Sequence, residues 1–276
     1  MMLGRTEFFR GLRRLHRLRS QDPIEEEYRG WGWDRPPIRP RAYLGLGVSD
    51  VAYRYCPTKR DVYLRRLGVN GEVSGPVLNG SLVHAVFHAA AQDVRRELVL
   101  GRTGWEAYER LSYKAVRRLK GLGVDVYRDA WLLDLYKRLT LSWCSDEWMG
   151  PLTEYRVDGS VLGLSSNLRV DGLVELGVVA EVKYGKPQEF HKLALAGYAL
   201  ALEAEMEVPV DYGVLVYASQ YGRSVRLYWE PVYLSSSLRN SFLEARDDLI
   251  DLLLSGREPP RAASCPEHCP YRGVCG

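Results

Sequence analysis

The hydrophobic period of this chain changes once, at Pro151, and that change limits the fold more than any other feature. Before it, apolar residues recur at helical spacing. Phe8, Leu12 and Leu15 stripe an arginine-rich arm over residues 1–20. Residues 21–47 are loop-like, with Pro23, Pro36, Pro37 and Pro40 and the aromatic pair Trp31 and Trp33. The pattern predicts a helix over 49–67, opened by Ser49 as an N-cap type of residue, and a turn-rich link from Gly68 to Gly80. It predicts a further helix over 81–99, on the stripe Leu82, Val83, Val86, Phe87 and Ala90. Two more lie over 104–148, parted by Gly121-Leu122-Gly123. After Pro151 the residues alternate as in strands, over 153–157, 160–164, 168–174 and 178–183. Helix returns over 188–206, strands over 210–217 and 224–229, and a last helix over 236–255. The expectation is a helical first half, a β-meander, a crossover helix and a strand pair, with no internal repeat.

At 276 residues, 46% hydrophobic and 26% charged, the chain is long enough for a sizeable core and excludes a mostly disordered or fibrous protein. No apolar run approaches the ~18 residues of a membrane helix. Arg5, Arg10, Arg13, Arg14, Arg17 and Arg19 crowd the first twenty positions with no apolar stretch behind them, unlike a secretory signal, so the expected place is the cytoplasm. The net charge of +3 does not announce nucleic acid. Of 38 basic residues 31 are arginine, the side chain that grips phosphate with a planar fork. Genomic base composition or heat adaptation explains that bias equally well.

Five cysteines are an odd count for a disulfide framework. Cys265, Cys269 and Cys275 crowd the last twelve residues as C-x3-C-x5-C among Pro266, Pro270 and Gly273. Short turns of this kind let thiolates face one centre, and three ligands want a fourth. Cys56, beside Pro57, is the natural candidate; Cys144 sits in an apolar helical pattern and reads as core. Four thiolates suit an iron–sulfur cluster or a zinc ion, with His268 a substitute ligand in the zinc case.

Arg169-Val170-Asp171-Gly172 is followed after nine residues by Glu181-Val182-Lys183. Residues i and i+2 of a strand share a face, so Glu181 and Lys183 project together while Val182 points into the core. Carboxylates on adjacent strands suit a hard divalent cation such as Mg2+ or Mn2+, with the Val182 carbonyl available beside them. Charged residues on strand faces are routine, and D-x9-E-x-K alone carries little. The apolar surroundings of Glu181 (Val178, Val179, Ala180, Val182) make a charged pair there less expected. His84, in Gly80-x3-His84, is a candidate third ligand; His88 lies four positions on, but no H-E-x-x-H pattern is present. Glu154 and Asp158 are rivals for the acidic role, ranked behind Asp171.

Cys56, Gly80-x3-His84, Asp171, Glu181-x-Lys183 and the cysteine tail follow one another in a known order. The sequence resembles the CRISPR-associated RecB-like iron–sulfur nucleases, the fourth core family of Cas proteins, and in particular the archaeal branch Csa-one. Arg29-Gly30-Trp31-Gly32-Trp33, Cys56-Pro57-Thr58-Lys59-Arg60-Asp61-Val62-Tyr63-Leu64 and His191-Lys192-Leu193-Ala194-Leu195-Ala196-Gly197-Tyr198 are similar to that branch too. The likeness runs from about residue 28 to the end. It implies an α/β (α+β) fold with a restriction-endonuclease-like PD-(D/E)xK, or RecB, core and an iron–sulfur staple joining the N- and C-terminal regions. The expected organisation is a basic arm and loop over 1–47, a helical region with Cys56 and His84 over 48–150, a nuclease core over 151–256 and a cysteine tail over 257–276.

The resemblance also implies a 4Fe-4S cluster on Cys56, Cys265, Cys269 and Cys275, with a 2Fe-2S centre or Zn2+ as alternatives. It implies Mn2+ or Mg2+ on His84, Asp171, Glu181 and the Val182 carbonyl, with Lys183, Asp171 and Glu181 catalytic. The family trims DNA ends, usually single-stranded, to prepare fragments for insertion into a CRISPR array, together with the integrase proteins of adaptation; some relatives form rings. Two departures stand out. The helix after the catalytic strand carries Tyr198 of the usual Q-x3-Y, but Ala194 replaces the glutamine, with His191 or Lys192 as candidate substitutes. The first two tail cysteines are three apart rather than the commoner two. Lys186, Lys192, Arg54, Arg60, Arg65 and Arg66 are candidate DNA contacts, though each alone reads as a solvated charge. The competing readings are a non-catalytic iron–sulfur DNA-binding or scaffold subunit and a repair nuclease unrelated to CRISPR.

Overall fold

The computed structural model describes residues 5–72, 74–175, 177–265 and 269–275 of the 276. The first half is helical: α1 (Arg5–Gln21), α2 (Val48–Ala52), α3 (Arg60–Arg66), α4 (Gly75–Val99), α5 (Gly104–Lys120) and α6 (Ala130–Ser145). Then come β1 (Leu152–Val157), β2 (Leu168–Val174), β3 (Val178–Tyr184), α7 (His191–Met206), β4 (Tyr212–Tyr221), β5 (Ser224–Tyr233), α8 (Ser236–Leu254) and a short α9 (Arg272–Cys275). The five strands form one sheet in chain order, antiparallel except for β3 and β4. Those two run parallel because α7 carries the chain back between them.

Helices cover both faces of the sheet. Val178, Ala180 and Val182 of β3 pack with Phe87 of α4 and Trp131 and Trp143 of α6. Val179, one residue out of phase, packs on the opposite side with Leu195 and Leu200 of α7 and Phe242 of α8. A strand buried on both faces reads as a continuous apolar run, which is why β3 does not alternate in polarity. The arm packs on the body: Phe8 is buried against Trp148 and Trp229, with ring centroids 5.8 and 6.2 Å away.

Three expectations change. The helix over 49–67 is two helices, because Pro57 drives Cys56 out of the helical region and Lys59 takes a left-handed φ of 57°. The turn-rich link is shorter, since Gly75-Pro76 already opens α4 and proline suits a first turn. Residues 160–164 are not a strand but a 3-10 turn over Ser160–Leu162 and one isolated bridge from Leu164 to Leu46. Leu162 and Leu164 are apolar because that turn is buried, not because it pairs in the sheet.

Candidate active site and thiol cavity

The β2–β3 ladder runs from Val174–Val178 to Gly172–Ala180. Just beyond it, the Val182 N–H donates to Asp171 Oδ2 at 2.7 Å. Leu168, Val170 and Leu173 all pack in one apolar layer, so the alternation of β2 slips once around Asp171-Gly172. A slip of this kind re-aims a side chain, and Asp171 Oδ1 meets His84 Nδ1 of α4 at 3.0 Å. On β3, Glu181 and Lys183 share the face opposite Val182 and form an ion pair through Glu181 Oε1. The Tyr53 hydroxyl donates to the same oxygen at 2.7 Å. The Lys183 ammonium stands 4.8 Å from the centre of the Tyr53 ring.

Burial sets the electrostatics. Glu181 is only 3% exposed, and its Oε2 is buried without a hydrogen-bond partner. Burial and the neighbouring Asp171 raise its carboxyl above the usual range, against Lys183 and Tyr53. Burial pulls the Lys183 amine down, but Glu181 and Asp171 more than offset it and keep the amine charged. Burial likewise pulls His84 down, and the Asp171 carboxylate raises it above an ordinary histidine. Burial pushes the Tyr198 hydroxyl well up, with Glu181 and Asp171 adding to the effect. Among the described residues no three His, Cys, Asp or Glu side chains close around a single point; His84 and Asp171 bond each other instead.

An open cleft of about 650 Å³ leads to His84, lined also by Gly80, Ser81, His88, Glu154 and Arg169. Glu154 adopts a left-handed φ of 54° within β1 and pairs with Arg169 at 3.4 Å. His88 turns to Thr153, 2.6 Å from its hydroxyl. Asp158 is occupied elsewhere, accepting the Ser160 N–H at 2.8 Å.

Cys56, Cys265, Cys269 and Cys275 line one cavity of about 310 Å³ together with Arg60, Asp61 and Tyr271. All four are free thiols. Burial pushes the Cys269 thiol up to about 11, and the adjacent Cys265 and Cys56 add to the shift. The tail is docked by the Glu72 N–H, which donates to the Pro270 carbonyl at 2.8 Å. Cys144 is buried in the core. His268 lies outside the described residues.

Several sequence candidates are engaged elsewhere. Lys192 is held by Glu189 at 2.9 Å and by Glu230 of β5 at 3.0 Å, two strands away from β3. His191 is buried between the Tyr55 and Tyr217 hydroxyls at 2.9 and 3.1 Å, and burial lowers its pKa to about 4. It is therefore a neutral, buried histidine held between two tyrosine hydroxyls. Ala194 is fully buried in the α7 layer. Arg60 donates to the Pro259 carbonyl at 2.6 Å, Arg65 to Asp50 at 2.7 Å and Arg66 to the Leu44 carbonyl at 2.9 Å. Arg54 and Lys186 are exposed. Sequence reasoning missed Tyr53; its only local signal is its place three positions before Cys56.

Fold and site together define a mixed α/β protein with a buried carboxylate–lysine centre, an open cleft at the neighbouring His84 and a separate four-thiol cavity. The family model of CRISPR-associated exonuclease Csa1 matches residues 2–276, and the chain belongs to that family of CRISPR-associated nucleases. The CRISPR-associated exonuclease Csa1 of Thermoproteus tenax is 39% identical over 281 residues, covering 99% of each chain. That of Saccharolobus solfataricus is 34% identical over 274 residues, covering 91% of this chain and 92% of its own. The crystal structure of SSO0001 matches over 69% of this chain and 84% of that one, at 16% identity and a TM-score of 0.30. No described helix is long and apolar enough to cross a membrane.

Proposed function

We propose that the protein is a metal-dependent deoxyribonuclease that trims DNA ends, single-stranded ones foremost, to prepare fragments for CRISPR adaptation. One observation carries the reading: Glu181 is buried against Asp171 and Lys183 and keeps Oε2 without a partner. An unmet buried acceptor costs roughly 1–3 kcal/mol, more when charged, and a hard cation is the partner its chemistry suits. The element order of three strands, crossover helix and strand agrees with a RecB-like PD-(D/E)xK core. Membership of a family of CRISPR-associated exonucleases supports a nuclease role. The integrase proteins of adaptation are the partners this reading implies.

His84, Asp171, Glu181 and the Val182 carbonyl would hold Mn2+ or Mg2+, three oxygens and one imidazole nitrogen. Such a cation supplies charge neutralisation at the scissile phosphate and acidifies water beside it. Lys183, kept charged by both carboxylates, donates to the negative charge that develops on the phosphate oxygens. The Val182 N–H orients Asp171, and the Tyr53 hydroxyl orients Glu181. Exposed Lys186, just past β3, would meet a backbone phosphate, and Tyr198 of α7, whose hydroxyl feels the charge of Glu181 and Asp171, would support the carboxylates. Cys56, Cys265, Cys269 and Cys275 would hold a 4Fe-4S cluster as thiolates, cross-linking the bend after α2 to the chain end.

Anaerobic protein, analysed for iron and zinc and then given single-stranded DNA with Mn2+, tests both parts. Asp171→Ala, Glu181→Ala and Lys183→Ala are each expected to slow digestion by about a hundredfold or more while remaining folded. Undiminished digestion by these variants overturns the site. A second reading, a non-catalytic iron–sulfur DNA-binding subunit, draws support from the direct His84–Asp171 contact. Iron-loaded protein that binds DNA without cutting it selects that reading.

A further inference from the structure

We propose that Lys59 and Tyr53 are positioning residues that couple the thiol cavity to the carboxylate centre through the bend between α2 and α3. The inference rests on the reading above for what each site holds. The bend carries Cys56 at its middle, with Tyr53 three positions before it and Lys59 three after. The last carbonyls of a helix have no partner within it. Lys59 Nζ supplies one, donating to the carbonyls of Asp50, Val51 and Tyr53 at 2.8, 2.9 and 2.5 Å. Lys59 does so from a left-handed backbone, φ 57°. A side chain holds that conformation only where its surroundings fix it.

The clamp determines where Tyr53 leaves the bend. Its ring is boxed by Tyr55, Phe190 and His191, with centroids 5.8, 6.0 and 5.6 Å away. From that box its hydroxyl reaches Glu181 and its face meets the Lys183 ammonium. One side chain therefore touches both members of the carboxylate–lysine pair. Cys56, on the same short bend, lines the thiol cavity. Whatever orders the four thiols orders the bend, and the bend presents Tyr53 to Glu181. Lys59 bonds the backbone at the end of α2 rather than Glu181 or Lys183.

The test uses the full chain as wild type, Tyr53→Phe, Cys56→Ser, Lys59→Met and the Asp171→Ala control. Mn2+ binding is measured by calorimetry without DNA, iron by visible absorption and metal analysis, and DNA digestion as separate kcat and KM. Tyr53→Phe keeps the ring and loses the hydroxyl. It should bind Mn2+ about tenfold more weakly and lower kcat, with KM and iron content unchanged. Lys59→Met should lower both Mn2+ affinity and iron content. Cys56→Ser, folded, should weaken Mn2+ binding at a centre it does not touch. Wild-type Mn2+ affinity and kcat in Tyr53→Phe, or wild-type Mn2+ affinity in Cys56→Ser, overturns the coupling. A wild type that binds Mn2+ but does not cut DNA overturns the functional reading alone, and the binding data then decide the coupling. A wild type that does neither overturns both.

Discussion

Glu203 of α7 and Arg239 of α8 are fully buried, and they hold each other by two hydrogen bonds of 2.7 and 3.0 Å. Arg29 joins them, donating to Glu203 at 2.8 Å and to Asp211 at 2.5 Å, and the Gly30 N–H donates to Glu203 at 2.9 Å. A Cβ on Gly30 would stand 2.0 Å from the Leu200 carbonyl oxygen. The Arg29-Gly30-Trp31-Gly32-Trp33 segment is thus a docking device for the loop on α7. Removing one member of a buried ionic cluster strands the others, at about 3–5 kcal/mol. Glu203→Gln is expected to lose that much in urea unfolding. Arg138→Ala, which breaks an exposed pair with Asp134, should lose less than about 1 kcal/mol. Equal losses would deny the cluster its role. Arg246, also fully buried, bonds the Ile38 carbonyl at 2.7 Å. An arginine count cannot separate such residues from ones that grip phosphate, because both carry the same fork and differ only in burial.

At the scale of elements, α7 and α8 pack closely over the sheet face that carries Glu181. Gly197 lies against Phe242, where a Cβ would meet the ring at 2.4 Å. Gly197→Ala is expected to overpack this contact at about 1–3 kcal/mol, read as a fall in unfolding midpoint. Phe242→Leu on the same background should recover part of it, and a strictly additive double variant would sink the explanation. The strand alternation that placed Glu181 and Lys183 on one face is local, so it was legible. That 160–164 forms no strand was not, since a strand exists only where a neighbouring strand accepts it.

At the scale of the whole molecule, Asp211 ties α1 and the loop to the start of β4. Burial pushes its carboxyl up, but Arg29 and Arg19 outweigh burial and hold it below its ordinary value. A carboxyl depressed on folding stabilises at pH above its unfolded pKa, about 3.9, and that contribution fades as pH falls through the folded value. Thermal unfolding followed from pH 7 down to 3 should show the wild type losing stability below about pH 4. Asp211→Asn should begin lower and lose less over the same range. Parallel curves for the two would show that Asp211 contributes no such linkage.

The sequence by itself determined the kinds and order of most elements, the parallel crossover, and the shared face of Glu181 and Lys183. Each is written in a short-range period that the local backbone obeys. Only the tertiary structure decided that Tyr53 meets Glu181 across 128 positions. It also decided that His191 is a buried neutral bridge and that Lys192 answers to Glu230. Those outcomes depend on which surfaces pack together, and packing is a property of the whole chain that no local window contains.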